Sequence, residues 1–260
     1  MKFITTFSKT GYEKYAHKTL ESMREHLPGE VIVYSEFPLE GAKNFFEIEG
    51  VVSFYNNIQN VPICKGITNK GYNYNYDVWK FSRKMFAQWD VLKDHKGKVF
   101  WVDADCYVRK PPSVEFLEGL FDGKGLCYLG REGLYTETGL VGFDTENEKF
   151  EAFLNLYMGF IKHAWFMNHQ WWHDCAAFDF ARQESGISGN NLSPFFKIPE
   201  DKKLTLEEMD VFVRSSIGEY ILHAKGGRKD LFKPIGNTHV MPKTKVGEYI
   251  THKKGSRKDR

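Results

Sequence analysis

Two carboxylates, Asp103 and Asp105, follow the apolar run Val99, Phe100, Trp101 and Val102 within residues 98–110, KVFWVDADCYVRK. The run is β-branched and aromatic and too short for a helix, so it reads as a strand buried on both faces. In an extended chain residues two apart share a side, which would set both carboxylates together at the strand end while Ala104 points away. Like charges that close repel, and burial raises the cost of each. A cation between them relieves both effects. Two oxygen donors that leave other positions open suit Mg²⁺ or Mn²⁺, hard ions that keep water or substrate phosphate as remaining ligands. The end of a central strand in an open α/β sheet is also a usual place for a ligand. The plainer alternative is a strand ending in a solvated polar turn, closed by Pro111 and Pro112.

A second pattern, HxxGxxK, follows apolar residues 220–222 and comprises His223, Gly226 and Lys229. An imidazole can complete a metal's ligand set, a glycine lets backbone approach closely, and a lysine can neutralise a diphosphate. One metal would then be held by Asp103, Asp105 and His223, with Lys229 on the phosphates.

With these two patterns the chain resembles the nucleotide-sugar transferases of the GT-A fold, and more closely the glycogenin and lipopolysaccharide galactosyltransferase family. The specific matches are Asp103, Asp105, His223, Gly226 and Lys229. The resemblance implies a Rossmann-like, mostly parallel sheet flanked by helices, with a C-terminal segment returning to the active site. It also implies one Mn²⁺ or Mg²⁺, a nucleoside diphosphate sugar as donor (uridine by family habit), and retention of anomeric configuration. The chain departs from its relatives in two places. Asp230 and Leu231 stand where they carry Pro-Trp after the lysine, and His173-Asp174-Cys175 is the nearest counterpart of their Asp-Gln-Asp element.

The elements that must position these groups read as follows. Residues 2–8 form a first strand. Tyr12, Tyr15, Ala16, Leu20, Met23 and Leu27 recur at helical spacing until Pro28 and Gly29, and residues 31–35 make a second strand, the opening of a parallel α/β sheet. Ser8, Lys9 and Thr10 lie in the first strand-to-helix loop, at the sheet edge of the Asp pair. Gly66, Gly71 and alternating Tyr72, Tyr74 and Tyr76 mark an ordered loop whose rings could stack on a base or sugar. From Asp77, the stripe Val78, Phe81, Met85, Trp89 and Leu92 predicts a helix. Lys80, Arg83 and Lys84 fall on another stripe, and Lys80 and Arg83 are assigned to the anionic donor beside Asp103, Ala104, Asp105, Gly226 and Lys229.

Further on, residues 126–129 and 140–143 read as strands, with Thr136, Glu137, Thr138 and Gly139 before the second. Thr145 and Glu148 have capping-box spacing ahead of an apolar helix containing Phe150, Phe153, Leu154 and Tyr157. Residues 164–174, AWFMNHQWWHD, read as a packed helix with a polar tip at His173 and Asp174, His169 and His173 sharing one face. Thr205 and Glu208 could cap another helix. Asp174 and Glu137 are the carboxylates assigned to sugar binding or base chemistry, with Thr136 and Thr138 as positioning groups.

At 260 residues and 42% hydrophobic, the chain can bury the core of one generous domain, residues 1–242. Cys64, Cys106, Cys127 and Cys175 lack paired spacing and read as reduced core thiols. No apolar run approaches the roughly 20 residues of a membrane span, so a cytoplasmic protein is expected. A net charge of +2 is too small to make nucleic acid the main partner. Seven Lys or Arg from Lys243 onward make residues 243–260 a basic tail suited to peripheral contact with an anionic membrane. The expected activity is transfer of a sugar from the donor to a glycan, lipid or protein hydroxyl. Two other classes use parts of the same evidence: a nucleotidyltransferase or phosphohydrolase built on the Asp pair, and a non-catalytic carbohydrate-binding protein favoured by the 16% aromatic content.

Overall fold

The computed structural model describes residues 1–193 and 210–224. Strand β1 (Lys2–Phe7) leads through α1 (Lys9–Gly11), a π-helical turn and α2 (His17–His26) to β2 (Glu30–Ser35) and the short β3 (Lys43–Asn44). Helix α3 (Val51–Ile58) and the hairpin of β4 (Ile67–Thr68) and β5 (Gly71–Tyr72) come before α4 (Val78–Leu92). Next are β6 (Lys98–Val102), β7 (Cys106–Val108), α5 (Val114–Gly119), β8 (Leu126–Arg131) and β9 (Leu134–Asp144). Helices α6 (Phe150–Lys162) and α7 (Asp174–Ser185), β10 (Gly189–Asn191), α8 (Val211–Arg214) and β11 (Ile221–His223) complete the described chain.

Seven strands form one sheet in the order β10-β8-β9-β6-β1-β2-β3. Pairings β1–β2, β1–β6, β2–β3 and β8–β10 are parallel, whereas β9 runs antiparallel to both β6 and β8. The expected α/β architecture, a mostly parallel sheet flanked by helices, is the one observed. β6 lies inside the sheet, and its side chains divide between two cores. Val99 and Trp101 pack in the core containing Met85, Phe86, Phe153 and Phe178 from α4, α6 and α7, while Phe100 and Val102 join Met23, Leu117 and Phe212 from α2, α5 and α8. An unbroken apolar run is what a strand needs when both its faces are covered.

The buried surface of α4 is wider than the predicted stripe. Ser82, Lys84, Phe86, Gln88 and Val91 are buried as well, because the helix has β1 on one side and α3, α6 and α7 around the rest. Its buried polar groups find partners: Ser82 Oγ lies 2.9 Å from Tyr55 Oη, and Tyr157 Oη donates to Gln88 Oε1 at 2.8 Å.

Three local readings change. Thr136–Gly139 belong to the single long strand β9, whose register against β8 jumps between Tyr128↔Val141 and Leu129↔Glu137. Such a bulge bends a strand and re-aims its side chains. Thr145 does not cap α6; its hydroxyl donates to the carbonyls of His95 and Gly97, and Lys149 takes the cap position with no side-chain bond. The Trp-rich segment is a short 3₁₀ turn, Trp165–Asn168, followed by irregular chain to His173, which caps α7 by accepting from Ala176 N at 3.2 Å. His169 and His173 therefore do not share a helical face. The segment holding Thr205 and Glu208 lies outside the described residues.

Candidate active site

The strand carrying the Asp pair ends at Val102, and residues 103–106 form a turn in which Cys106 N donates to Asp103 O at 2.9 Å. The two carboxylates therefore do not share one extended face, and each has its own basic partner, Lys84 for Asp103 and His223 for Asp105. Asp103 continues the Trp101 side of the sheet, toward α4. Its Oδ1 accepts from Trp101 Nε1 at 2.6 Å and from Lys84 Nζ at 3.0 Å. Asp105 closes the turn immediately before β7. There β11 pairs antiparallel, with His223 opposite Cys106, and Ala224 N donates to Asp105 O at 2.8 Å. That ladder sets His223 Nε2 3.6 Å from Asp105 Oδ1 and returns the C-terminal end of the described chain to the site.

Lys84 is the hub of the Asp103 side. Buried on α4, its ammonium pairs with Asp174 Oδ2 at 2.9 Å as well as with Asp103, donates to the Thr138 carbonyl, and lies 5.1 Å from the centre of the Trp101 ring. Burial would lower its pKa, but Asp103 and Asp174 raise it, so the amine stays charged. Asp174 opens helix α7, where the helix dipole favours an anion, and accepts from Thr138 Oγ1 at 2.5 Å. Burial pushes its carboxyl up, yet Lys84 and the Thr138 bond outweigh burial and hold it at about 2. Asp103 goes the other way: burial and the neighbouring Asp105 and Asp174 raise it against the pull of Lys84. Its side chain nevertheless keeps 32% of its surface open, against 4% for Asp174.

Asp174 carries a pH prediction. Its folded pKa lies below its unfolded value of 3.8, so its contribution is complete above that value and is lost as pH falls toward 2. Acid titration of unfolding free energy should show about 2 kcal/mol more loss between roughly pH 4 and 2 for the wild type than for Asp174→Asn. Equal acid slopes would mean that Asp174 is not held by Lys84.

The other assigned residues fall around this centre. Glu137 lies on the bulged part of β9, with Arg131 Nη1 3.3 Å from its Oε2 and Gly139 N 3.3 Å from its Oε1. Thr136 is bound away from the centre through its amide and hydroxyl to Asp179, at 2.8 and 2.6 Å. Arg83 is engaged by Glu36, and Lys80 is exposed, its Nζ 5.2 Å from the Phe81 ring centre. Neither is drawn to the Asp pair. Ala104 is half-buried in the turn. Gly226, Lys229 and the basic tail lie outside the described residues. Tyr74 stacks on His173, with Phe81, Tyr135 and Trp171 also against that ring, so the aromatic loop meets the Trp-rich segment beside Asp174.

The sequence places Lys84 in the basic stripe and holds no signal that separates it from Lys80 and Arg83; only the packing of α4 against Trp101 does so. Asp210 carried no signal of its own. It joins the site through His223, whose Nδ1 lies 3.5 Å from Asp210 Oδ2. Burial pushes this imidazole down, but the neighbouring carboxylates of Asp105 and Asp210 raise it to about 9.

The donor set suits a hard divalent ion. Potential ligand atoms of Asp105, Cys106 and His223 lie within 4.8 Å of one another. Cys106 is the weak member, because burial and the nearby carboxylates raise its thiol, leaving a neutral group that a hard ion does not favour. The 3.6 Å from carboxylate oxygen to imidazole nitrogen is slightly wider than the about 3 Å between neighbouring ligands of a six-coordinate ion with bonds of 2.0–2.1 Å. Asp105 and His223 therefore offer one carboxylate and one imidazole of the kind that Mn²⁺ or Mg²⁺ takes, whereas Asp103 is turned to Lys84 and Trp101.

No family model and no curated protein matches the chain. Among solved structures, that of apo mouse xyloside xylosyltransferase 1 is similar at 11% identity and a TM-score of 0.45, over 74% of this chain and 86% of that one. The glycosyltransferase GlyE of Streptococcus pneumoniae TIGR4 is similar in two structures. Its apo form gives 12% identity and a TM-score of 0.42, over 72% of this chain and 44% of that one. The second gives 13% and 0.42, over 74% and 45%. The chain thus spans less than half of GlyE, and likeness at this level carries no argument about activity. No helix among the described residues is long and apolar enough to cross a membrane.

Proposed function

We propose that the chain is a GT-A type glycosyltransferase that moves a sugar from a nucleoside diphosphate donor, UDP being the first candidate, to an acceptor hydroxyl on a glycan, lipid or protein. The observation that carries this reading is the meeting of Asp105 and His223 at 3.6 Å, two groups from motifs far apart in the chain. A non-catalytic carbohydrate-binding protein does not call for that meeting. A divalent ion held by Asp103, Asp105 and His223 would supply Lewis-acid neutralisation of the departing diphosphate. Lys229 and Gly226 would face the phosphates, with Lys80 and Arg83 as outer cations.

On the sugar side, the low pKa of Asp174 keeps it ionised at neutral pH, so it serves as a fixed hydrogen-bond acceptor and negative charge rather than as an acid. A charge of that sign favours an oxocarbenium-like sugar. Lys84 and Thr138 hold the carboxylate in place, and Arg131 restrains Glu137, the second carboxylate assigned to sugar binding or base chemistry.

Calorimetric titration with UDP and GDP, each with and without Mn²⁺, tests the reading on the wild type and on His223→Ala. One nucleotide should bind only with Mn²⁺, and more weakly to the variant. Absence of binding under every condition overturns it. Release of pyrophosphate or inorganic phosphate from the donor, in place of a nucleoside diphosphate, would select the nucleotidyltransferase or phosphohydrolase class instead.

A further inference from the structure

We infer that Asp210 is a positioning residue that keeps the imidazole proton of His223 on Nδ1 and so presents the bare Nε2 beside Asp105. The inference rests on the reading that Asp105 and His223 hold a divalent ion. The His223 ring lies between two carboxylates, with Nε2 3.6 Å from Asp105 Oδ1 and Nδ1 3.5 Å from Asp210 Oδ2. The two are not equivalent. Asp210 has only 4% of its side chain open, against 13% for Asp105. Its Oδ1 is committed to capping α8, accepting from Phe212 N at 3.1 Å. The Phe212 ring then packs on the imidazole, with centres 4.7 Å apart.

One short segment thus fixes both the ring plane and the carboxylate behind it. A neutral imidazole has one N–H and one lone pair, and only the lone pair binds a metal. Asp210 Oδ2 is the carboxylate oxygen beside Nδ1, at 3.5 Å, so a proton kept on Nδ1 faces that buried charge and leaves the lone pair on the Asp105 side. A carboxylate behind a ligating histidine is a general device for setting tautomer and ring orientation.

Asp210→Asn separates this role from the helix cap. Asparagine caps as well as aspartate, and with its oxygen on Phe212 N its amide N–H₂ would face Nδ1. Nδ1 must then accept, and the proton moves to Nε2. Asp210→Ser, which keeps a cap and removes the orienting group, is the second variant. Mn²⁺ is titrated at constant UDP, with free Mn²⁺ read by electron paramagnetic resonance, on the wild type, both Asp210 variants and His223→Ala. The His223 tautomer is read by ¹⁵N NMR of the metal-free protein at a pH above the His223 titration.

The expected result is Mn²⁺ binding about 10- to 100-fold weaker in Asp210→Asn, with the proton moved to Nε2, and an intermediate loss in Asp210→Ser. Wild-type affinity in both Asp210 variants, with His223→Ala impaired, overturns the inference and leaves the metal reading standing. Weaker binding with an unchanged tautomer also overturns it, since Asp210 would then act only through folding. A wild type that binds no Mn²⁺ removes the metal reading and the inference together.

Discussion

Replacing Lys84 with methionine is expected to cost about 3–5 kcal/mol of folding stability at neutral pH, the usual effect of removing one partner from a buried ion pair. Methionine matches the length of the lysine stem, so lost volume is not the main cause. The loss arises because Asp103 and Asp174, both paired with this ammonium within 3.0 Å, would be left facing each other without a counter-ion. Thr138 and Trp101 would still bond to them, but neutral donors offset only part of the charge.

The pH dependence separates this cause from simple cavity formation. Without Lys84, burial and mutual repulsion raise both folded-state carboxyl pKa values above their unfolded values. Protonation then favours the folded chain, and the deficit should shrink as pH falls from about 7 toward 4. Denaturant unfolding of the wild type and Lys84→Met across that range measures it. A deficit independent of pH would show that the ammonium is not what reconciles the two carboxylates.

The second large effect is on turnover. Asp105→Asn should lower it by about 100-fold or more, since Lewis-acid stabilisation of developing charge amounts to several kcal/mol, while folding stays intact. The backbone carbonyl of Asp105 keeps its bond from Ala224 N whatever the side chain, and His223 keeps Asp210. The assay is release of nucleoside diphosphate from the donor that calorimetry selects, with Mn²⁺ present. Unchanged turnover in a correctly folded variant would remove Asp105 from the mechanism.

The three basic residues of α4 show where sequence reasoning stopped. Their spacing identified a basic stripe, and each was a reasonable partner for an anion. Packing of the helix against β1 and α6 then buried Lys84 between Asp103 and Asp174, gave Arg83 to Glu36 and left Lys80 exposed. Periodicity says which residues share a face but not which edge of that face is covered, and α4 is covered more widely than a single stripe. The His169/His173 reading was lost for a related reason. Helical spacing has meaning only where the chain is helical, and here His173 ends an irregular segment by capping the next helix.

By itself the sequence determined the α/β order, the two-faced burial of β6 and the residue types able to hold a divalent ion, because these depend on local runs and short spacings. It also named both ends of the long-range contact, Asp105 and His223. The tertiary structure alone decided that the Asp pair is split by a turn, that Lys84 bridges Asp103 to Asp174, and that Asp210 stands behind His223. Each of these depends on elements distant in sequence meeting at one sheet edge, where packing of α4, α7 and β11 selects the partner of every buried charge.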